Sequence, residues 1–258
     1  MITSKSNENI KYAIKLLSSS KSRKENCEFI IEGLRLAREA VKNGIKINLT
    51  FYSEDFYKNF KKEADEILKF SKKSFLVGTN IIKSISDTKT PQGMVCICEF
   101  IDNSLHLDKN INKVLVLDNI QNPSNLGAII RICDALGFDG VIISKNSCDI
   151  YNPKVIRGSM GSVFKTKILI SDDLESNIFN LNNNGVSTLA MVVERGAEDI
   201  RSFRNLKNVA LVIGNEGNGI RDEIIKICKY KAFIPIKENV NSLNASVAAG
   251  IAMWEISR

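Results

Sequence analysis

LVIGNEGNGI (211–220), AFIPI (232–236) and VNSLNASVAAGIAMWEISR (240–258) decide how this chain is read. An apolar run, 211–213, ends in a glycine-rich loop that carries one carboxylate, Glu216. A second apolar run leads to a polar turn, Ser242-Leu243-Asn244, and then to a helix of small residues. Two such turns, each after a strand, offer main-chain groups to a small polar ligand. The glycine spacing in 214–219 is not GxGxxG, and no GK[ST] follows, so this is not a P-loop. A carboxylate there repels phosphate but suits hydroxyls or a cation. A flexible turn is the plain alternative. Ser242 and Asn244 stand where a helix starts and main-chain N–H groups are free; simple capping accounts for them as well.

Working outward, the second half of the chain alternates strands and helices. The run 114–117 is continuously apolar, as expected of a strand covered on both faces. The loop DNIQNPSN (118–125) follows, then a helix over 126–136 capped by Asn125. Strands are expected at 140–144, 167–170, 187–193, 209–213 and 232–236. Helices are expected from Asn152-Pro153, over 173–182 and 222–229, and from Asn244 onward. This alternation predicts an α/β fold with a mostly parallel sheet and helices on both faces. The first half reads as a smaller α/β domain. Helices are expected over 8–17, from Gly33 to Asn43-Gly44, and over 55–70 and 80–85. Strands are expected at 28–31, 47–52, 74–77 and 94–100. A serine-rich turn, 18–22, ends the first helix. The polar stretch 102–112 is the linker between domains 1–105 and 111–258.

Composition sets the outer bounds. The chain has 258 residues, 44% hydrophobic and 25% charged, enough for one large or two ordinary cores. No run of about eighteen apolar residues exists, so no membrane span is expected. The first 24 residues hold no apolar segment of signal-peptide length, so a cytoplasmic location is expected. Six cysteines are scattered, and the one histidine, His106, lies in the linker. Cys96 and Cys98 face the same side of an apolar strand. They read as buried reduced thiols, and no metal ligation is expected. Net charge is +7, and residues 1–110 carry 19 Lys and Arg against 14 Asp and Glu. Lys5, Lys11, Lys15, Lys21, Arg23 and Lys24 face a single acid, Glu8, within the first 24 residues. That cluster fits either a solvated basic helix or a grip on a phosphate backbone.

Two further groups of residues carry chemistry. Asn125-Leu126-Gly127-Ala128 opens a helix in which Arg131 presents five donors in a planar fork. Arg131 shares that helix with Ile129, Ile130 and Ile132, so a solvent-facing position and a site role both fit. Arg157, in IRGSMGS (156–162), is a weaker candidate; a small-residue packing face explains the same pattern.

Together these motifs resemble the SpoU/TrmH family of RNA ribose 2′-O-methyltransferases, within the SPOUT superfamily. NPSNLGAIIR (122–131), LVIGNEGNGI (211–220) and IPIKENVNSLNASVAAGIAMWE (234–255) match its three motifs in order. More loosely, EFIIEGLRLAREA (28–40) and TPQG (90–93) resemble a subgroup whose N-terminal domain is similar to a small ribosomal-protein fold. Members of that subgroup often modify large-subunit ribosomal RNA.

The resemblance implies a deep C-terminal trefoil knot, a rare exception to chain-threading rules. It implies S-adenosylmethionine as cofactor, held at Gly214, Asn215, Gly217, Ile234, Ile236, Ser242, Leu243 and Asn244. Arg131 is implied to act on the ribose 2′-hydroxyl, with Glu216 and Asn244 positioning the ribose or Arg131. Because arginine is a poor base, orienting the hydroxyl and stabilising oxyanion charge is the preferred role. The expected RNA contacts are Asn125 and Arg157 and, from the basic cluster, Lys5, Lys21, Arg23 and Lys24; the resemblance implies a substrate-binding domain over 1–105. A homodimer through the C-terminal domain is also implied, with Val247, Ala248, Ile251 and Trp254 on one face of the last helix. The expected partner is RNA, most readily ribosomal. A transfer RNA 2′-O-methyltransferase and a non-catalytic RNA-binding protein on the same scaffold are the alternatives. A Rossmann dehydrogenase would need GxGxxG after the early strand, where NPSNLG stands instead.

Overall fold

The serines that read as a turn instead join two helices. In the computed structural model, α1 (Glu8–Ser18) ends at Ser19, whose hydroxyl also caps α2 (Ser20–Asn26) by accepting from the Ser22 N–H at 3.2 Å. One serine thus closes one helix and opens the next, a role open to its short hydroxyl. The structure describes residues 1–107, 111–193, 196–237 and 240–258. Residues 108–110 of the expected linker lie outside them.

After α2 come β1 (Glu28–Glu32), α3 (Leu34–Lys42), β2 (Ile47–Ser53), α4 (Glu54–Asn59), α5 (Lys61–Leu68), β3 (Ser71–Val77), α6 (Thr79–Ser84) and β4 (Met94–Glu99). The helix expected over 55–70 is two helices. The break falls at Phe60, whose main chain leaves the helical region (φ −131°, ψ 38°) while its ring lies 5.3 Å from that of Phe56. The four strands form one sheet in the order β1-β4-β2-β3, with β2 and β3 parallel and the other pairs antiparallel. One face of α1, with Ile10, Ala13 and Leu16, packs with Ile81, Ile82, Phe51, Val95 and Ile97. Each large apolar side chain so buried contributes about 1.5–3 kcal/mol.

The second sheet begins with β5 (Lys113–Leu117), α7 (Pro123–Ala135) and β6 (Gly140–Ser144). The chain then forms α8 (Pro153–Ser159), β7 (Ile168–Ser171), α9 (Leu174–Asn183), β8 (Ser187–Met191) and β9 (Glu198–Asp199). It ends with β10 (Val209–Ile213), α10 (Asp222–Ile227), β11 (Tyr230–Phe233) and α11 (Ala245–Ile256). Strand order is β7-β6-β5-β10-β8-β11-β9, and every neighbouring pair is parallel. β6 and β10 are buried along their whole length, which is what strands covered on both faces require. The chain runs from β5 outward through β6 to β7, then returns so that β10 pairs with β5 on its other side. The loops after β5 and β10 therefore leave the same edge of the sheet side by side. That is the switch point at which open α/β sheets bind ligands.

The chain divides into two compact units, Met1–Asp102 with Asp149–Phe164, and Asn103–Cys148 with Lys165–Arg258. The segment Asp149–Phe164 was expected within the C-terminal domain; it groups with the first unit. The Tyr151 ring lies 3.8 Å from that of Phe100 and 4.8 Å from that of Phe29. Arg23 explains the rest. Its guanidinium is 3% exposed and pairs with Asp149 at 2.8 Å while donating to the Leu16 carbonyl at 2.6 Å. Arg23 was expected to touch RNA. The structure corrects this: its donors are spent inside the protein. Arg23→Ala leaves Asp149 and the Leu16 carbonyl without their partner, so a loss of about 3–5 kcal/mol is expected. Urea unfolding of the variant measures it, and a loss under about 1 kcal/mol would contradict the assignment.

Candidate functional site

Asp118 follows β5 directly and is fully buried. Its carboxylate accepts from the main-chain N–H and the Nε of Arg221, each at 3.0 Å. Arg221 also meets Glu175 at 3.0 Å. This network ties the end of the glycine loop to the end of β5. Sequence reasoning missed both partners, although an acid closing the apolar run KVLVLD (113–118) was the signal.

Asn119 comes next, with φ +57°, in the left-handed region that asparagine tolerates. Its carbonyl accepts from Asn215 Nδ2 at 2.8 Å. The Asn215 side-chain oxygen in turn takes the N–H groups of Gly217 and Asn218, at 2.9 and 3.0 Å. Asn215 and Gly219 exchange main-chain hydrogen bonds at 2.9 and 3.0 Å. The loop is thus a closed turn. Gly214 is required by space: a Cβ there would lie 2.2 Å from Gly219 C and Ile220 N.

Glu216 reaches from this loop to the start of α7. Its oxygens accept from the N–H groups of Gln121 and Asn122, both at 3.1 Å, and from Asn125 Nδ2 at 3.0 Å. Burial alone would raise its pKa, but the bond from Asn125 and those from the main chain outweigh it, holding the carboxyl below its usual range. Asn125 then accepts from Asn244 Nδ2 at 3.0 Å. One polar chain, Glu216–Asn125–Asn244, therefore links the loops after β10, β5 and β11.

Asn125 was expected to cap its helix. The cap is Asn122, whose side chain accepts from Ser124 N–H at 2.9 Å, with Pro123 in the first turn. Proline has no N–H to leave unpaired and sets the helical φ in advance. Asn125 is instead buried inside the helix, free to join Glu216 to Asn244. Asn244 caps α11, accepting from Ser246 N–H at 2.9 Å and Val247 N–H at 3.3 Å. Gly250 lets α11 rest on α7: its position would put a Cβ 3.2 Å from Ile132 Cδ1.

Arg131 lies on α7, exposed, with no hydrogen-bond or ion-pair partner among the described residues. Glu216 and Asn244 hold the first turn of its helix and make no bond to its guanidinium. Ile234 and Ile236 follow β11, half-buried, as is Leu243; Gly217 and Ser242 are exposed. The main-chain N–H groups of Ile236, Ser242 and Leu243 donate to nothing among the described residues. In the first unit, Lys5, Lys21 and Lys24 are exposed, Lys21 facing Glu25 at 3.8 Å. Arg157 is half-exposed and meets Asp87 at 3.2 Å. Cys96 and Cys98 are buried, and burial pushes both thiols up, Cys96 to about 12.

The parallel sheet defines an α/β protein whose loops after β5, β10 and β11 converge. Residues 112–254, more than half of the chain, match the SpoU rRNA Methylase family, and residues 7–96 match the MRM3-like substrate binding domain. The chain is 28% identical to the 23S rRNA (guanosine(2553)-2′-O)-methyltransferase RlmP of Bacillus subtilis, over 94% of this chain and 93% of that protein. The AdoMet-bound rRNA methyltransferase of Sinorhizobium meliloti superposes with a TM-score of 0.86 at 29% identity, covering 99% and 96% of the two chains. The SpoU methyltransferase AviRb of Streptomyces viridochromogenes, in complex with AdoMet, gives 0.85 at 26% identity, covering 98% and 97%. The chain belongs to the SpoU rRNA methylase family.

Proposed function

We propose that this protein transfers a methyl group from S-adenosylmethionine to a ribose 2′-hydroxyl of large-subunit ribosomal RNA. The observation that carries the reading is the convergence of all three family motifs on one polar chain, Glu216–Asn125–Asn244. The donor set fits the cofactor. Ile236 and Leu243 offer unused main-chain N–H groups between half-buried apolar side chains, which suits a purine edge and its faces. Glu216, ionised at neutral pH, suits a cation nearby. When bound, S-adenosylmethionine supplies an electrophilic methyl on a sulfonium.

The chain's own work is positional. Holding the hydroxyl in line with that methyl can supply roughly 7 kcal/mol. Arg131 is assigned to this: its fork orients the hydroxyl or a neighbouring phosphate and offsets charge growing on the oxygen. It takes no proton, because a guanidinium stays charged. Glu216 and Asn244 act through α7, fixing the first turn of the helix that carries Arg131. Gly214, Asn215, Gly217, Ile234, Ser242 and Leu243 are assigned to the cofactor. Lys5, Lys21, Lys24 and Arg157 are assigned to RNA phosphates. A knot is proposed in the second unit, supported by the bond that brings Asn244, after β11, to Asn125, after β5.

A second copy is proposed to cover α11. Val247, Ile251 and Trp254 are 49%, 37% and 54% exposed at positions that share one helix face, while Ala249, Ala252 and Met253 are buried. Among the described residues no helix is long and apolar enough to cross a membrane. A cytoplasmic location is proposed with the ribosomal RNA substrate.

The lowered pKa of Glu216 gives a pH prediction. A carboxyl whose folded value lies below the ordinary 4.5 contributes above 4.5 and loses that contribution as pH falls through the folded value. S-adenosylmethionine affinity is therefore expected to be flat from neutral pH down to 4.5 and to fall below it. Titration calorimetry across that range tests this; a decline complete before pH 4.5 would contradict it. The reaction itself is tested by mapping alkali-resistant ribose sites in large-subunit RNA from cells with and without the protein. Identical maps would sink the proposed substrate.

A further inference from the structure

We infer that the first unit holds a base-binding cavity, which takes one unstacked base of the RNA while its phosphate stays outside. The inference rests on the RNA reading above. The cavity has a volume of about 100 Å³. Leu17, Leu36 and Met160 supply apolar wall, and Glu32, Arg35 and Arg157 supply its charges. Most of this lining falls within residues 7–96, the stretch matching a substrate binding domain.

The charges decide what fits. Glu32 is half-buried, and three donors already hold it: Ser86 Oγ at 2.7 Å, Thr88 Oγ1 at 2.8 Å and the Gln92 N–H at 3.3 Å. A carboxylate has about four acceptor positions, so one remains. A fixed negative charge on the wall turns away phosphate and carboxylate groups. It admits a neutral group that brings an N–H. The apolar walls favour flat faces over hydrated ones. At the exposed side, Arg35 has no hydrogen-bond or ion-pair partner among the described residues, whereas Arg157 is met by Asp87 at 3.2 Å. A ligand with a neutral, flat, N–H-bearing part inside and an anion outside satisfies both charges. A nucleotide whose base is splayed from its strand has that form, and single-stranded RNA presents such bases for capture.

The test uses the full chain and three probes: a mixed-sequence hexaribonucleotide, an abasic hexamer of equal charge, and guanosine monophosphate. The unmodified protein is expected to bind the base-bearing hexamer about tenfold more tightly than the abasic one, the effect of one captured base. Leu36→Phe, which fills the cavity, is expected to abolish that preference and to raise the RNA KM about tenfold, leaving kcat and the S-adenosylmethionine KM unchanged. Arg35→Ala is expected to weaken both hexamers alike. Leu17→Phe, at a half-buried position, repeats the test if Leu36→Phe loses its thermal transition. Equal binding of the two hexamers overturns the proposal. So does a well-folded Leu36→Phe that keeps the preference, and so does tight binding of the mononucleotide without any preference between hexamers. Failure of the RNA reading itself is separate: the unmodified protein would then transfer no methyl to any RNA, whatever the hexamers show.

Discussion

Arg131→Ala is expected to lower kcat for methyl transfer by about two to three orders of magnitude, the usual cost of removing one donor aimed at developing oxyanion charge. The fold is expected to be unchanged, because the side chain is exposed and bonds to nothing among the described residues. Its helix is fixed independently, by Asn122 at the cap and by Glu216 on the preceding N–H groups. S-adenosylmethionine affinity is therefore expected to stay where it was. Arg131→Lys is expected to recover little, since a point charge does not reproduce the planar fork. Calorimetry and single-turnover transfer separate the two quantities. Loss of cofactor binding in Arg131→Ala would move the residue out of the chemistry and into the cofactor site.

Gly214→Ala is expected to have the opposite signature, a loss of cofactor binding. Its Cβ would meet main-chain atoms of Gly219 and Ile220 at 2.2 Å, and main chain cannot swing aside as a side-chain tip can. Overpacking of this kind costs about 1–3 kcal/mol even where neighbours can shift. Here relief requires opening the turn closed by Asn215 and Gly219, which carries Glu216. The S-adenosylmethionine Kd is expected to rise at least about tenfold, the equivalent of some 1.4 kcal/mol. A near-normal Kd with an intact thermal transition would show that this turn does not shape the cofactor site.

What could be read from the sequence, and what could not, follows the range of the interactions. β10 was legible at both ends because an apolar run bounded by Asn208 and Gly214 is a local signal. The convergence of the three motifs was legible through resemblance, not through spacing. The cap of α7 was readable and misread: Asn122-Pro123 carries the proline signal, but Asn125 stands nearer the apolar face. Arg23 was not readable at all. Its partner Asp149 lies 126 positions away, so a buried structural arginine looks like one more charge in a basic cluster. Glu216 shows the same limit in the site, since its donors at Gln121 and Asn122 lie 95 and 94 positions away. β9 has two residues, too few for any periodicity to register.

The central claim is that the three motif loops form one site for transfer from a sulfonium to a ribose oxygen. The most direct measurement incubates the protein with methyl-tritiated S-adenosylmethionine and large-subunit RNA from cells that lack it, followed by complete alkaline hydrolysis. The account predicts label in an alkali-resistant dinucleotide, because a 2′-O-methyl blocks cleavage at that ribose, and loss of that label with Arg131→Ala. Label released in mononucleotides, which marks a methylated base, or no incorporation at all, would contradict it.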